Sequence, residues 1–207
     1  MRLGPKLMSR LEKIANDFND DTFFAVRNNN AYFVTNWVFG IQICSKNMNE
    51  NILINLRNRA AEISKINNKY QDILLHVHDR GWEDILIGKG VCQDVKLVRT
   101  KPNEISPLKK RGWDIMTFVS SSGRRYYIRE PYFDVAEELI DGIKPVIFRP
   151  IRSKAYPPDY RPMLFLDKHG STQGILYTIT ENNLHNPINI EDEYKKYIEM
   201  SIPEIFS

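Results

Sequence analysis

The stretch RPMLFLDKHGSTQGILYTIT, residues 161–180, decides the fold that the sequence predicts. Its two apolar runs, 163–166 and 174–179, have the length of short strands. Between them, residues 167–170 (DKHG) are typical of a tight turn, because Asp and Gly both suit turn conformations. The stretch therefore predicts an antiparallel hairpin.

The residues before this hairpin predict a strand, a helix and another strand. Residues 125–129 and 145–149 are short apolar or aromatic runs, whereas residues 131–142 carry apolar side chains at helical spacing. From 125 to 179 the order is therefore strand, helix, strand, strand, strand, written βαβββ. This order favours an α+β fold with short helices and largely antiparallel sheets.

The first part of the chain predicts a helix followed by strands. Residues 5–18 have a proline at the start, and their apolar residues recur every three or four positions, as in an amphipathic helix. A strand, an asparagine turn at 28–30 and a longer aromatic-rich strand over 31–44 follow. Further along, the pattern predicts a strand at 52–56, a second helix at 57–69, and strands at 72–78 and 84–98.

Composition suggests where the chain divides. Residues 101–112 combine prolines with polar and basic residues and are typical of a linker. We therefore expect an α+β half over 1–100, a second α+β half over 113–186, and a helix with a tail over 187–207.

Charge, cysteines and hydropathy restrict the class of protein. The chain has 207 residues and a formal net charge of +3, which is too small to predict a nucleic-acid partner by itself. Its two cysteines, Cys44 and Cys92, form no disulfide or zinc pattern, and Cys44 is predicted to be a buried thiol among isoleucines. No apolar run approaches 18 residues, so the sequence predicts a cytoplasmic protein without membrane contact.

Two stretches carry a resemblance to a known family. YYIREPYFDVAEELIDGIKPVIFRP (126–150) together with RPMLFLDKHGSTQGILYTI (161–179) resembles the final βαβββ unit of DNA sliding clamps, the processivity rings of replicative polymerases. The first helix with FFAVRNNNAYFVTNWVFGIQI (23–43) is similar to the opening helix and hairpin of a clamp. The resemblance implies a non-enzymatic replication accessory protein, encoded by a phage or another mobile element, that binds duplex DNA. Two clamp-like domains in one chain imply a homo-oligomer, a trimer if the ring closes.

A ring around DNA requires outward-facing cations that contact phosphates without reading bases. Basic residues lie on the polar faces of both predicted helices, and others alternate with aromatic residues in KKRGW and GRRYY, a mixture that suits nucleic-acid contact. Cations on solvated helix faces are also ordinary, so this alternative stays open. The predicted DNA-binding residues are Lys6, Arg10, Lys13, Arg57, Arg59, Lys65, Lys69, Lys109, Lys110, Arg111, Arg124 and Arg125.

The segment HVHD, residues 76–79, supports a different function. Residues i and i+2 of a strand point to the same side, so His76 and His78 are placed to share a metal ion, with Glu83 close in sequence. This arrangement would suit a metal-dependent nuclease or another hydrolase, although two histidines on the solvated face of an amphipathic strand are the simpler explanation. The sequence contains no nucleophile or nucleotide-binding motif, and it predicts no cofactor. A third alternative is a protein-binding module that acts on host machinery without contacting DNA.

Overall fold

The structure, a computed structural model, describes residues 2–28, 30–36, 38–66, 90–98, 114–150 and 162–179. This part of the chain forms an α+β fold, as predicted, with nine strands, three α-helices and one short 3-10 helix. In chain order the elements are α1 (Pro5–Phe18), β1 (Phe24–Asn28), β2 (Ala31–Thr35), β3 (Phe39–Cys44), the 3-10 helix (Ser45–Asn47), α2 (Glu50–Ile66), β4 (Gly90–Val98), β5 (Ile115–Ser120), β6 (Arg125–Arg129), α3 (Glu130–Leu139), β7 (Lys144–Pro150), β8 (Met163–Leu166) and β9 (Thr172–Leu176).

The nine strands form one sheet in the order β1-β2-β3-β9-β8-β7-β4-β5-β6. Every strand pair in this sheet is antiparallel. Three of the pairs, β3 with β9, β4 with β7 and β4 with β5, join strands from before residue 100 to strands from after residue 113. The predicted linker at 101–112 and the predicted C-terminal helix at 187–207 lie outside the described residues, and the division into two halves stays a prediction.

Helix α1 has the bounds that its apolar spacing predicts. Leu7, Leu11, Ile14 and Phe18 are buried in the core, because residues three or four apart share one side of a helix. The helix ends at Asn19, whose left-handed backbone (φ 58°) suits an asparagine. The chain then turns so that Asp20 follows the last turn of the helix.

The long strand predicted over 31–44 is wrong, since the chain bends at Asn36 and forms two strands. The Asn36 side-chain oxygen accepts hydrogen bonds from the backbone N–H groups of Val38 (3.3 Å) and Phe39 (2.9 Å), which stabilises the turn between β2 and β3. The buried thiol predicted at Cys44 is also wrong. Alternation along β3 buries Ile41 and Ile43 and leaves Cys44 exposed.

The strand predicted at 52–56 is wrong as well, because these residues belong to helix α2. The Asn49 side-chain oxygen accepts hydrogen bonds from the N–H groups of Asn51 (3.1 Å) and Ile52 (3.3 Å), which caps the start of the helix. A short apolar run such as ILINL fits either a strand or a buried helix turn. The cap favours the helix, and so does the packing of Ile52, Leu56 and Ala60, which recur every four residues, into the apolar clusters.

The predicted βαβββ order is present as β6, α3, β7, β8 and β9. In the turn between β8 and β9, the Asp167 carboxylate accepts hydrogen bonds from the N–H groups of His169 (2.8 Å) and Ser171 (3.0 Å). After β9 the chain forms an isolated antiparallel bridge between Ile179 and Tyr127 of β6. This bridge joins the chain that follows β9 to β6, which is the last strand in the order of the sheet.

The main core lies between one face of the sheet and helices α1 and α3, and residues from both ends of the chain contribute to it. A smaller apolar cluster of Val146, Phe148, Leu164 and Ile175 occupies the opposite face. Helix α2 packs on the outer strand β1, with Ala60 against Phe24 and Val26. None of the helices in the described residues is sufficiently long and apolar to cross a bilayer.

Candidate nucleic-acid interface

The three cations predicted on α1 lie in different electrostatic surroundings. Lys6 and Lys13 are exposed. Arg10, between them, donates a hydrogen bond to Glu138 (2.9 Å) and lies 3.9 Å from Asp134, both on α3. The Arg10 guanidinium is therefore already paired with carboxylates of the neighbouring helix.

The surface formed by α1 and α3 is acidic overall. The two helices carry three cations, Lys6, Arg10 and Lys13, against the six carboxylates of Glu12, Asp17, Glu130, Asp134, Glu137 and Glu138. Like charges repel, so this excess of carboxylates opposes the approach of phosphates. The α1–α3 surface therefore does not favour binding of DNA, although α1 is one of the two helices whose cations were predicted to contact it.

The predicted cations on α2 are also divided. Arg57 is exposed. Arg59 forms an ion pair with Glu12 of α1 and donates a hydrogen bond to the Phe23 carbonyl (3.0 Å), so it fastens α2 to α1 and to the start of β1. Arg10 and Arg59 thus form ion pairs that stabilise helix packing, whereas Lys6, Lys13 and Arg57 are exposed at the surface.

Arg124 and Arg125, the predicted cations of the β5–β6 hairpin, have a third cation nearby. This residue, Lys96 of β4, is not among the predicted DNA-binding residues. The strand register aligns Lys96 of β4 with Val119 of β5, and Val119 with Arg125 of β6. Directly opposed residues of antiparallel strands share a face, so the exposed Lys96 and Arg125 lie on the same side of the sheet. Arg124 precedes Arg125, and its guanidinium lies 5.9 Å from the centre of the Tyr126 ring. We call Lys96, Arg124 and Arg125 the basic patch.

Within the basic patch, Lys96 and Arg125 lie on the sheet face opposite to the main core, whereas the Arg124 guanidinium lies at the hairpin turn on the side of Tyr126. Phe118 and Tyr126, which neighbour Val119 and Arg125 in sequence, point the other way and are buried in the main core. Asp94 lies two residues before Lys96 and forms an ion pair with Lys144 of β7 (2.9 Å). Of these five described ionisable groups, four are cations and one is a carboxylate.

Several predicted residues lie outside what the structure describes. Lys69, Lys109, Lys110 and Arg111, and the proposed metal ligands His76 and His78 with Glu83, fall in the undescribed ranges, as does the side chain of Lys65. Among the side chains that are described, no group of three or more His, Cys, Asp or Glu residues could hold a metal ion. The metal site stays a prediction.

A buried ionic cluster, which the spacing of residues in the sequence does not indicate, lies between α1 and α3. Asp20 and Arg129 form an ion pair in which one guanidinium nitrogen of Arg129 donates to both carboxylate oxygens, and their side chains are 0% and 2% exposed. The Tyr132 hydroxyl donates a hydrogen bond to Asp20 (2.7 Å) and accepts one from the Asn36 amide (2.9 Å). The Arg129 guanidinium also lies 4.9 Å from the centre of the Phe18 ring.

Burial dominates the proton equilibria of this cluster. It raises the pKa of Asp20 above its ordinary value of 3.8, although the charge of Arg129 and the hydrogen bonds from Tyr132 and Arg129 act in the opposite direction. Burial, helped by the Asp20 charge, also raises the pKa of the Tyr132 phenol. The cluster is enclosed and satisfied by its own partners, so we interpret it as structural.

No protein-family model matches this chain, and comparisons with curated proteins and with solved structures gave no match. The resemblance to sliding clamps accordingly stays a prediction.

Proposed function

We propose that the protein is a non-enzymatic, DNA-associated accessory protein that contacts the sugar–phosphate backbone through the basic patch. The observation that carries this proposal is the alignment of Lys96 with Arg125 across Val119, next to Arg124 at the hairpin turn. Adjacent strands lie about 4.8 Å apart, so the backbones of Lys96 and Arg125 are roughly 10 Å apart. Lys96 and Arg125 are both exposed, and cations at this spacing on one side of a sheet are suited to contact backbone phosphates.

This proposal moves the DNA contact away from the helices. The resemblance directs α1 and α2 toward the duplex, but α1 packs beside α3, and the carboxylates that α1 and α3 carry together would repel phosphates there. The sheet carries the positive surface instead. A clamp-like role in replication and a ring-forming homo-oligomer remain part of what the resemblance implies, and the contact proposed here requires neither.

The connection between β4 and β5 adds support from sequence. Residues 99–113 contain five Lys or Arg residues and a single acidic residue. Three of these cations are the predicted Lys109, Lys110 and Arg111. This connection follows β4, the strand that carries Lys96, so the sequence next to the basic patch is also rich in cations.

The test is fluorescence anisotropy of a labelled duplex, titrated with protein between about 50 and 200 mM salt. We expect the triple variant Lys96→Gln, Arg124→Gln, Arg125→Gln to bind more weakly. Its slope of log K against log salt should be shallower by about 2–3, because each phosphate contact contributes about 0.9.

The matched control is Lys6→Gln, Lys13→Gln, Arg57→Gln, which removes the same charge from exposed helix positions. It should keep most of the wild-type affinity and slope. Equal losses in the two triple variants would indicate unspecific attraction, and a loss confined to the control would assign the contact to the helices. Absence of binding by the wild-type protein would reject the proposal.

A further inference from the structure

We infer that the smaller apolar cluster, on the sheet face opposite to the main core, is a docking surface for residues 187–207 of the same chain. The cluster has seven side chains, four of them buried and three partly buried around these: Val146, Phe148, Leu164 and Ile175, then Phe33, Leu166 and Tyr177. Six of the seven lie on strands, and Tyr177 directly follows β9. The cluster is therefore a feature of the sheet surface itself.

The burial of this cluster requires a layer above the sheet. Leu164 is 0% exposed and Val146 is 2% exposed. A side chain on a solvated sheet face stays partly in contact with water, so burial as complete as this needs atoms packed on top of it. Among the described residues no helix supplies such a layer, because α1 and α3 line the main core and α2 packs on β1.

The position of α2 leaves room for another helix on this face. Val26, which packs against Ala60 of α2, is aligned with Phe33 and so lies on the same side of the sheet. Strand β8, at the centre of the cluster, is four positions from β1 in the sheet order, about 19 Å away at about 4.8 Å per strand. Packed helices lie about 8–10 Å apart, so a helix over β8 would not collide with α2.

Residues 187–207 have the sequence pattern that such a layer needs. Their apolar side chains recur at i, i+4, i+7 and i+8, as in one stripe of an amphipathic helix: Ile190, Tyr194, Tyr197 and Ile198. Acidic residues and lysines occupy the positions between them. In a helix the stripe would be about 12 Å long, close to the roughly 10 Å across which β9, β8 and β7 carry the cluster.

The other long undescribed ranges fit this surface less well. Residues 99–113 and 151–161 combine prolines with charged residues, and residues 67–89 include the alternating pattern predicted for a strand. Tyr177 contributes to the cluster only two residues before the described part of the chain ends at Ile179. Continuity along the chain thus also favours the residues that follow.

Photo-cross-linking of the full chain identifies what covers the cluster. The photo-reactive amino acid p-benzoylphenylalanine is placed at Leu166, a partly buried position of the cluster, and mass spectrometry of the irradiated, digested protein identifies the captured peptide. We expect an intramolecular link to residues 187–207. The control position is Tyr32, a partly exposed residue aligned with Ile43 of the main core, which should not capture this segment. Capture of another range, or of a second copy of the chain, at Leu166 would overturn the inference.

A pair of matched variants gives an independent readout. Tyr194→Ser with Tyr197→Ser removes two apolar side chains from the stripe, and Lys195→Ser with Lys196→Ser changes two polar positions beside them. We expect amide hydrogen exchange at residues 164 and 175 to be at least tenfold faster in the tyrosine variant and unchanged in the lysine variant. Equal exchange rates in the two variants would contradict the docking. Neither measurement involves nucleic acid, so their failure is distinct from failure of the proposed function.

Discussion

The Tyr132 hydroxyl donates a hydrogen bond of 2.7 Å to Asp20, and this contact joins the first turn of α3 to the residue that follows the C-terminal turn of α1. The two residues are 112 positions apart in sequence. Tyr132 also stacks on Phe39 at a centroid distance of 5.1 Å. The pair therefore connects both helices to the β2–β3 turn through one ring and one carboxylate.

Replacing Arg129 should strongly destabilise the protein. Arg129→Met leaves the Asp20 carboxylate buried without its counter-ion, a change expected to lower the unfolding free energy by about 3–5 kcal/mol at neutral pH. Urea denaturation followed by circular dichroism measures this loss. Lys168→Met is the control, because it breaks an exposed ion pair with Asp141 and should have little effect.

The unfolding free energy of the Arg129→Met variant should also depend on pH. Without Arg129, which lowers the pKa of Asp20 in the wild-type protein, the folded-state pKa moves further above the ordinary value of 3.8. The folded variant then binds this proton more tightly than the unfolded chain does. Its unfolding free energy should rise as the pH falls through the folded-state pKa, and its deficit relative to wild type should shrink. A deficit that grows in mild acid would contradict this prediction.

The hydroxyl of Tyr132 can be tested apart from its ring. Tyr132→Phe keeps the stacking on Phe39 but leaves Asp20 and the Asn36 amide each short of one hydrogen-bond partner. We expect a loss of about 1–3 kcal/mol, because buried polar groups would lack partners. Tyr32→Phe removes a hydroxyl from a partly exposed tyrosine and should change stability by less than half as much. Chemical denaturation of both variants makes the comparison, and equal losses would count against the hydrogen-bond cluster.

Gly40 gives Phe33 room to lie across the sheet. A Cβ at position 40 would lie 2.2 Å from the Cζ atom of Phe33, a distance that requires the ring to move. Gly40→Ala should therefore lower the unfolding free energy by about 1–3 kcal/mol. In a double-mutant cycle, Phe33→Leu should remove much of this loss, with a coupling energy of at least about 0.5 kcal/mol. Strict additivity would show that the two positions do not interact.

The start of α2 depends on the Asn49 cap. Asn49→Ala should lower the unfolding free energy by about 1 kcal/mol, whereas Asn49→Ser keeps a side-chain acceptor and should be close to wild type. Amide hydrogen exchange of residues 51–56 provides a local measurement, with faster exchange expected in the alanine variant. Unchanged exchange would show that the helix start does not need the cap.

Local patterns predicted the elements whose signals are strong in sequence. The apolar stripe of α1, the turn at Asp167 and the βαβββ order all appear where expected, since each depends on neighbouring residues. The turn at Asn36 and the helix over 52–56 differ from the prediction. Each depends on a side-chain hydrogen bond, which the spacing of apolar residues does not reveal.

The candidate site was harder to predict than the fold. Lys96 joins Arg124 and Arg125 only through the pairing of β4, β5 and β6, and strand register over long separations cannot be read from one sequence. The ion pairs of Arg10 and Arg59 likewise depend on how the helices pack. Residue type suggested the right class of side chain, and three-dimensional pairing decided which of them remain at the surface.

The hydrogen bond from Ile179 to Tyr127 has a consequence for self-association. Because the chain leaving β9 reaches back to β6, strands β9, β8, β7, β4, β5 and β6 form a closed circuit at this point. The Tyr127 carbonyl, which would otherwise be available at the edge of β6, already accepts a hydrogen bond from the Ile179 N–H of the same chain. The fold thus blocks, at Tyr127, the templated addition of a foreign strand by which open sheets begin to polymerise.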